Sequence, residues 1–242
     1  MSPNWPDIVD GTWPAARYET LGPFRLRQGL GGGSRVSAAN ALGPATEAQL
    51  RAAEEAMRAM GQRPIICLRP KDEMLDQQLA DRGYDILDPV NIYECPVQRL
   101  TDTPIPRVTA FTIWSPLAIM KEIWAQGGIG PERLAVMDRA QGPKTGILLR
   151  RSDQPAGTGF VAIHDKVAMV HALEILPEHR RQGLGQWAMR AAAFWAQDNG
   201  AETLSVICTK ANDGANGLYH ALGMAITGEY HYRQLVQGDS PL

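Results

Sequence analysis

Cysteine is scarce in this chain. There are three, Cys67, Cys95 and Cys208, an odd number at unrelated spacings and without a CxxC pair, which supports neither a zinc site nor a dithiol redox pair. Cys67 and Cys208 sit inside apolar runs, where cysteine behaves as a small buried hydrophobe. No apolar run approaches the ~18–20 residues that a membrane span needs. A basic stripe is also missing: 24 Lys and Arg face 26 Asp and Glu for a net charge of −2, with Arg180-Arg181 among the tightest basic pairs. That balance argues against a nucleic-acid partner. The opening residues, Met1 to Asp7, have neither the basic flank nor the apolar stretch of a signal peptide. These absences lead us to expect a cytoplasmic protein with no metal, no membrane partner and no nucleic-acid partner.

What is present can build a core. Of 242 residues, 44% are hydrophobic and 21% charged, so the chain does not read as disordered. The length admits two modest domains. The segment Thr101-Asp-Thr-Pro-Ile-Pro-Arg107 carries two prolines within three residues and interrupts the pattern on both sides. It suggests an N-terminal unit over 1–103 and a C-terminal unit over 107–242.

Strand and helix periodicities alternate in the C-terminal unit. Strand 107–114 precedes helices 117–126 and 131–140, then strands 145–150, 157–164 and 167–176. The clearest helix runs over 184–199, with Leu184, Ala188, Ala191 and Trp195 on one face and Gly200 as its stop. A strand at 204–209, a helix at 213–222 and a closing hairpin turning near Gly228 complete the unit. The N-terminal unit is less regular: strands 24–27 and 35–39 around a glycine-rich turn, helix 46–60, strand 64–68, helix 74–82 and strand 86–94. Ile65-Ile66-Cys67 lines up with Val206-Ile207-Cys208, and Leu79…Gly83-Tyr84 with Tyr219…Gly223-Met224. A decayed internal duplication and convergence of two ordinary strand–helix–strand units both account for this.

The most informative stretch runs from Val170 to Gly185. An apolar strand ends at Leu176, Pro177 stops its ladder, a short basic loop follows, and Gly183-Leu184-Gly185 opens the best helix. Unpaired N–H groups at a helix N-terminus point outward with the positive end of the dipole. Glycines let a phosphate approach that backbone, and Arg180 and Arg181 add charge beside it, so the pattern describes an anion site, most simply for a pyrophosphate. A bare GxG could also be only a tight turn. Gly183-x-Gly185-x-x-Ala188 fits a dinucleotide fingerprint formally, yet residues 177–182 separate it from its strand and no acid closes the next strand at Cys208-Thr209-Lys210. Gly142-Pro143-Lys144-Thr145 is a fragment of a P-loop without its leading glycine.

Arg180-x-x-Gly183-x-Gly185, behind a strand ending Leu176-Pro177, resembles the acyl-CoA pyrophosphate motif of the GNAT superfamily. The resemblance continues through Asn212-x-x-Ala215-x-x-Leu218-Tyr219-x-x-x-Gly223-Met224, where methionine replaces the usual phenylalanine. It covers about residues 107–236. It implies an α/β fold with a mixed sheet, the GNAT acyl-CoA N-acyltransferase fold, which on the duplication reading is preceded by a partial, decayed copy. It implies acetyl-CoA as co-substrate and an amine of a small molecule or peptide as acceptor, in direct transfer within a ternary complex. A non-catalytic acyl-CoA-binding protein and transfer to a non-amine acceptor are the alternatives. Carried over residue by residue, the backbone of Leu173, Ile175 and Leu176 would pair with the pantetheine arm. Arg180 and the N–H groups of Arg181, Gln182, Gly183, Leu184, Gly185 and Gln186 would hold the pyrophosphate. Asn212 would touch the arm or cap the following helix, and Tyr219 matches the family's general acid.

The chemistry asks for such groups. Amine attack on a thioester creates an oxyanion, which needs fixed donors, and expels a thiolate, to which a tyrosine with pKa near ~10 is matched. Tyr219 could instead be a core tyrosine on the stripe Ala215, Leu218, Leu222. A protonated amine must lose a proton, and Glu174, a carboxylate within an apolar strand, is the candidate base. His171 points to the opposite face if that strand is regular, and His220 and Glu229 are weaker candidates. The glutamate that some members carry in the strand before Asn212 is absent, since Val206-Ile207-Cys208 stands there. Arg27-Gln28-Gly29-Leu30-Gly31 repeats Arg181 to Gly185 letter for letter, but a β-like run follows it, which predicts a hairpin turn. With Leu79 aligned to Tyr219, the N-terminal unit is expected to lack a second active site. It would shape the acceptor site or an oligomer interface, a homodimer among the options, and residues 117–140 would contribute to the acceptor pocket.

Overall fold

A computed structural model describes residues 3–235. In chain order its elements are α1 (Trp5–Thr12), β1 (Arg17–Leu21), β2 (Phe24–Gln28), α2 (Ser34–Ser37), β3 (Ala39–Ala41), α3 (Glu47–Ala59), β4 (Ile65–Leu68), α4 (Glu73–Asp81) and β5 (Tyr84–Pro96). There follow β6 (Ala110–Ile113), α5 (Ala118–Gln126), α6 (Pro131–Arg139), β7 (Lys144–Arg151), β8 (Gln154–His164), β9 (Val167–Ile175), α7 (Leu184–Asp198), β10 (Thr203–Thr209), α8 (Asp213–Ala221) and β11 (Ala225–Leu235). Single 3₁₀ turns occupy Pro70–Asp72, Val97–Leu100 and Pro177–His179.

These residues form two compact units, each discontinuous in sequence. The first comprises residues 3–14, Ile92–Cys208 and Asn212–Gly228; the second comprises Ala15–Asn91, Thr209–Ala211 and residues 229–235. Both β5 and β11 therefore give residues to each unit, whereas the sequence suggests a single boundary at 101–107.

In the first unit the strands run β5 (residues 92–96), β10, β9, β8, β7, β6. β6 to β9 pair antiparallel, and β9 pairs parallel with β10. Alternation along each strand decides the two faces. Ile147 and Leu149, Val161 and Ile163, Ala168 and Val170, and Leu204, Val206 and Cys208 share one core with α7. That helix offers Leu184, Ala188, Met189, Ala191, Ala192 and Ala196, and its alanines allow a close approach to the sheet. On the other face Ile8 and Val9 of α1 cover Val167 and Met169.

The second unit orders its strands β1, β2, β3, β4 and the 229–235 stretch of β11, which runs antiparallel to β4. Phe24, Leu26, Ile66, Leu68, Leu50, Ala53, Met57, Leu75 and Leu79 are buried here. α3 begins on a capping box: the Gln49 N–H donates to Thr46 Oγ1, and the Thr46 N–H donates back to Gln49 Oε1. Its buried Glu54 is neutralised, accepting from Arg82 Nη2 at 2.6 Å and from the Tyr84 hydroxyl at 2.8 Å.

Three local expectations fail. The closing hairpin is one continuous strand, β11. Gly228 is there for space, since a Cβ would lie 3.1 Å from both Ile92 and Trp5 side-chain atoms. Residues 34–37 form a helical turn rather than the start of a strand, so only Ala39–Ala41 pairs with β2. Finally, α1 and β1 were unanticipated. Trp5, Ile8, Val9 and Thr12 recur at helical spacing behind Pro6 in the first turn, so the signal for α1 existed.

Candidate active site

The loop from β9 to α7 is wound by local backbone geometry. Pro177 breaks the ladder, and the His179 and Arg180 N–H groups close a tight turn on Leu176 O and Pro177 O. Arg181 (φ 59°) and Gly183 (φ 82°) then take left-handed conformations, which turn the chain into α7. Gly183 occupies the N-cap and offers no side-chain oxygen, so the first-turn N–H groups of Leu184, Gly185 and Gln186 lack a side-chain cap. By contrast, Thr46 caps α3 and Asn212 caps α8. The loop is exposed at Arg180 to Gly183, and Arg151 Nη1 donates to Gln182 O at 3.1 Å to brace it. Gly185 has a packing reason too: a Cβ would sit 2.8 Å from Leu218 Cδ2.

Two irregularities of β9 open space beside this loop. Its parallel pairing with β10 ends at Val170↔Val206, although both strands continue, so residues 171–175 and 207–209 are unpaired with one another. Ala172 adopts φ 50°, and the β8 register passes from Phe160↔His171 to Thr158↔Glu174, two residues of β8 against three steps of β9. This is a β-bulge, and it overturns the expected opposition of His171 and Glu174. Thr158 and Phe160 share a face, so their partners Glu174 and His171 share it as well. Leu173 and Ile175 fall on the α7 side, against the main core. Trp124 Nε1 of α5 donates to Ala172 O at 2.8 Å and holds the bulge.

On the shared face His171 is buried, with its ring stacked 4.9 Å from Trp13 and Nε2 3.0 Å from Thr12 Oγ1. The Glu174 side chain is 20% exposed and bound by Arg180 Nη2 at 2.9 Å. Arg180 Nε also donates to Ile175 O at 2.9 Å, so this arginine folds back along the strand. Gly127, just after α5, leaves room for the carboxylate: a Cβ there would lie 2.7 Å from Glu174 Oε2.

The second signature falls on α8. Asn212 Oδ1 accepts from the Ala215 N–H at 3.0 Å, a cap that accounts for the asparagine. Tyr219 is buried, 4% exposed, with its ring 5.2 Å from that of Tyr93 in β5. Burial pushes the Tyr219 phenol well above its ordinary pKa, with Cys208 and Tyr93 adding to the rise. Burial likewise pushes the Cys208 thiol up to about 11. The Tyr93 hydroxyl donates to Asn216 Oδ1 at 2.7 Å and lies 3.2 Å from His220 Nε2, which engages His220. In the second unit Glu229 is paired with Lys210 at 2.5 Å. Tyr93, Trp124 and Gly127 escaped sequence reasoning, because each acts through a partner distant in the chain.

Comparison with known proteins gives a consistent family. Residues 117–224 match the family model described as acetyltransferase (GNAT) family. The chain is 26% identical to an uncharacterized N-acetyltransferase, YobR, of Bacillus subtilis (strain 168), over 93% of this chain and 95% of the relative. A GCN5-related N-acetyltransferase from Kribbella flavida shares the fold with a TM-score of 0.68 at 22% identity, over 96% of this chain and 94% of that one. A tandem GNAT protein from the clavulanic acid biosynthesis pathway matches with a TM-score of 0.59 at 14% identity, over 84% of this chain and 76% of that one.

Proposed function

We propose that the chain, whose residues 117–224 match the GNAT acetyltransferase family model, moves an acetyl group from acetyl-CoA to an amine of a small molecule or peptide, by direct attack within a ternary complex. The observation that carries this reading is the uncapped start of α7 beside the unpaired ends of β9 and β10. Acetyl-CoA supplies an activated thioester carbonyl and a thiolate leaving group.

The residues present fit that group. The N–H groups from Arg181 to Gln186 would hold the pyrophosphate at the α7 terminus, with the helix dipole behind them. Along β9, Ile175 already gives its carbonyl to Arg180, and Leu176 its N–H to Ala156 O. Leu173, at the bulge, has no register partner in β8, so its backbone is the freest of the three for the pantetheine arm and a developing oxyanion. Burial keeps the Tyr219 proton in place until negative charge develops beside it, which happens as the thiolate departs. Among the described residues its hydroxyl has no hydrogen-bond partner, unlike that of Tyr93. Glu174, on the face that α5 covers, accepts the amine proton, and Arg180 positions its carboxylate. The N-terminal unit is a degenerate GNAT-like copy without a CoA site: its Arg27–Gly31 loop leads into the four-residue α2, and Leu79 stands in the tyrosine's place.

The test follows free thiol release from acetyl-CoA across amines, amino acids and peptides, with Tyr219→Phe alongside. The variant keeps the ring against Tyr93, so acetyl-CoA affinity should hold while turnover falls ~10²-fold, equivalent to ~2.7 kcal/mol of barrier. Equal turnover in the variant removes Tyr219 from the mechanism. Acetyl-CoA binding without thiol release from any acceptor would favour a binding protein.

A further inference from the structure

The second unit contains a cavity of about 210 Å³ that the acetyl-transfer chemistry does not use. It opens where β4 ends and α4 begins, with Arg69 from the strand end and Glu73 and Asp76 from the helix. Lys210, Glu229 and His231 complete its charged wall. The volume is below the ~300–1,000 Å³ of sites that take drug-sized ligands, so the cavity is far too small for a coenzyme. At ~30 Å³ per water it has room for roughly seven non-hydrogen atoms.

The charges around it are not equivalent. Asp76 is committed twice, to Arg233 Nε at 2.6 Å and to His231 Nε2 at 3.1 Å. Glu229 is committed to Lys210. That leaves the Arg69 guanidinium and the Glu73 carboxylate, which have no ion-pair partner among the described residues. The Arg69 backbone is engaged by Asp72, its N–H donating to Asp72 Oδ2 at 3.0 Å and its carbonyl accepting from the Asp72 N–H at 2.8 Å. Pro70 and Pro89 bring no N–H to the wall. One uncommitted cation and one uncommitted anion, four residues apart on a small polar cavity, complement a molecule that carries both charges.

We propose that this cavity binds a free α-amino acid, with the carboxylate on Arg69 and the ammonium on Glu73. Arg69 suits the first role because its planar fork matches a carboxylate bidentately. The cavity's lining residues all belong to the second unit, and its test needs no turnover.

The full-length protein is titrated calorimetrically with glycine, alanine and serine, the amino acids small enough for the cavity, then with blocked forms that lack one charge, N-acetylglycine and glycine methyl ester. At least one free amino acid should bind, and removing either charge from it should weaken binding tenfold or more. Arg69→Gln and Glu73→Gln should each produce a similar loss while acetyl-CoA affinity and the melting temperature stay near wild type. Absence of binding by every amino acid up to 10 mM, on the order of the weakest affinity such a site could use, overturns the proposal. So does equal binding by blocked forms, or stronger binding of inorganic phosphate. Loss of acetyl-CoA binding in a folded Arg69→Gln variant would also overturn it, by assigning the cavity to the donor site.

Discussion

Gln186→Glu separates the two physical consequences of an uncapped helix start. Gln186 is the third residue of α7, and its Nε2 lies 3.7 Å from where a Cβ on Gly183 would sit, so the side chain reaches over the loop mouth. A carboxylate there faces the positive end of the helix and should stabilise the empty protein by ~0.3–1 kcal/mol. The same carboxylate repels a pyrophosphate held by the first-turn N–H groups. Two phosphate charges at ~6 Å cost about 1.4 kcal/mol in bulk water and about 5.5 at an effective dielectric near 20. Acetyl-CoA affinity should therefore fall at least ~tenfold, and more steeply at low salt. Gly185→Glu would be a poorer probe, because any side chain there meets Leu218. Thermal melts of the apo protein and calorimetric titration at two salt concentrations measure both effects. A variant that melts no lower than wild type yet binds acetyl-CoA equally well would place the anion site elsewhere.

Other expectations follow from single contacts. Gly127→Ala brings no backbone strain, since φ there is −82°, but it must displace the Glu174 carboxylate. Turnover should drop ~10-fold or more with acetyl-CoA affinity unchanged, and unaltered turnover would relieve Glu174 of the base role. Asp76 titrates in the second unit: burial alone would raise its pKa, but hydrogen bonds from Arg233 and His231 outweigh it and hold the group below the usual aspartate value. A depressed carboxylate contributes stability that is full above ~pH 5 and lost as pH falls through the folded pKa. Asp76→Asn should cost about 1 kcal/mol in urea unfolding at pH 7, a cost that shrinks progressively as pH falls below ~5, while a cost that does not change with pH would refute the pairing.

The parts of this molecule legible in its sequence are those governed by neighbours in the chain. Pro177, Gly183 and Gly200 mark where β9 stops and α7 starts and ends, and the observed limits agree within a residue or two. Asn212 and the α8 stripe are local in the same sense. The relation of His171 to Glu174 was not readable, because period-2 counting assumes a regular strand. The bulge at Ala172 depends on which β8 residues lie opposite and on the Trp124 indole that holds its carbonyl. Tyr93 was hidden for a related reason: it reaches Asn216 and His220 across more than a hundred residues. Gly228 carried a turn signal that space, not backbone conformation, explains.

The central claim is that one acetyl-CoA binds per chain, at the start of α7. Calorimetric titration of the full-length protein with acetyl-CoA measures this directly, with NAD as the competing ligand. At ~100 times the dissociation constant, acetyl-CoA should stabilise the fold by ~2.7 kcal/mol, a rise of roughly 5–11 °C in melting temperature for a chain of this size. The account predicts a stoichiometry of one and no response to NAD. No binding, a preference for NAD, or two acetyl-CoA molecules per chain would contradict it.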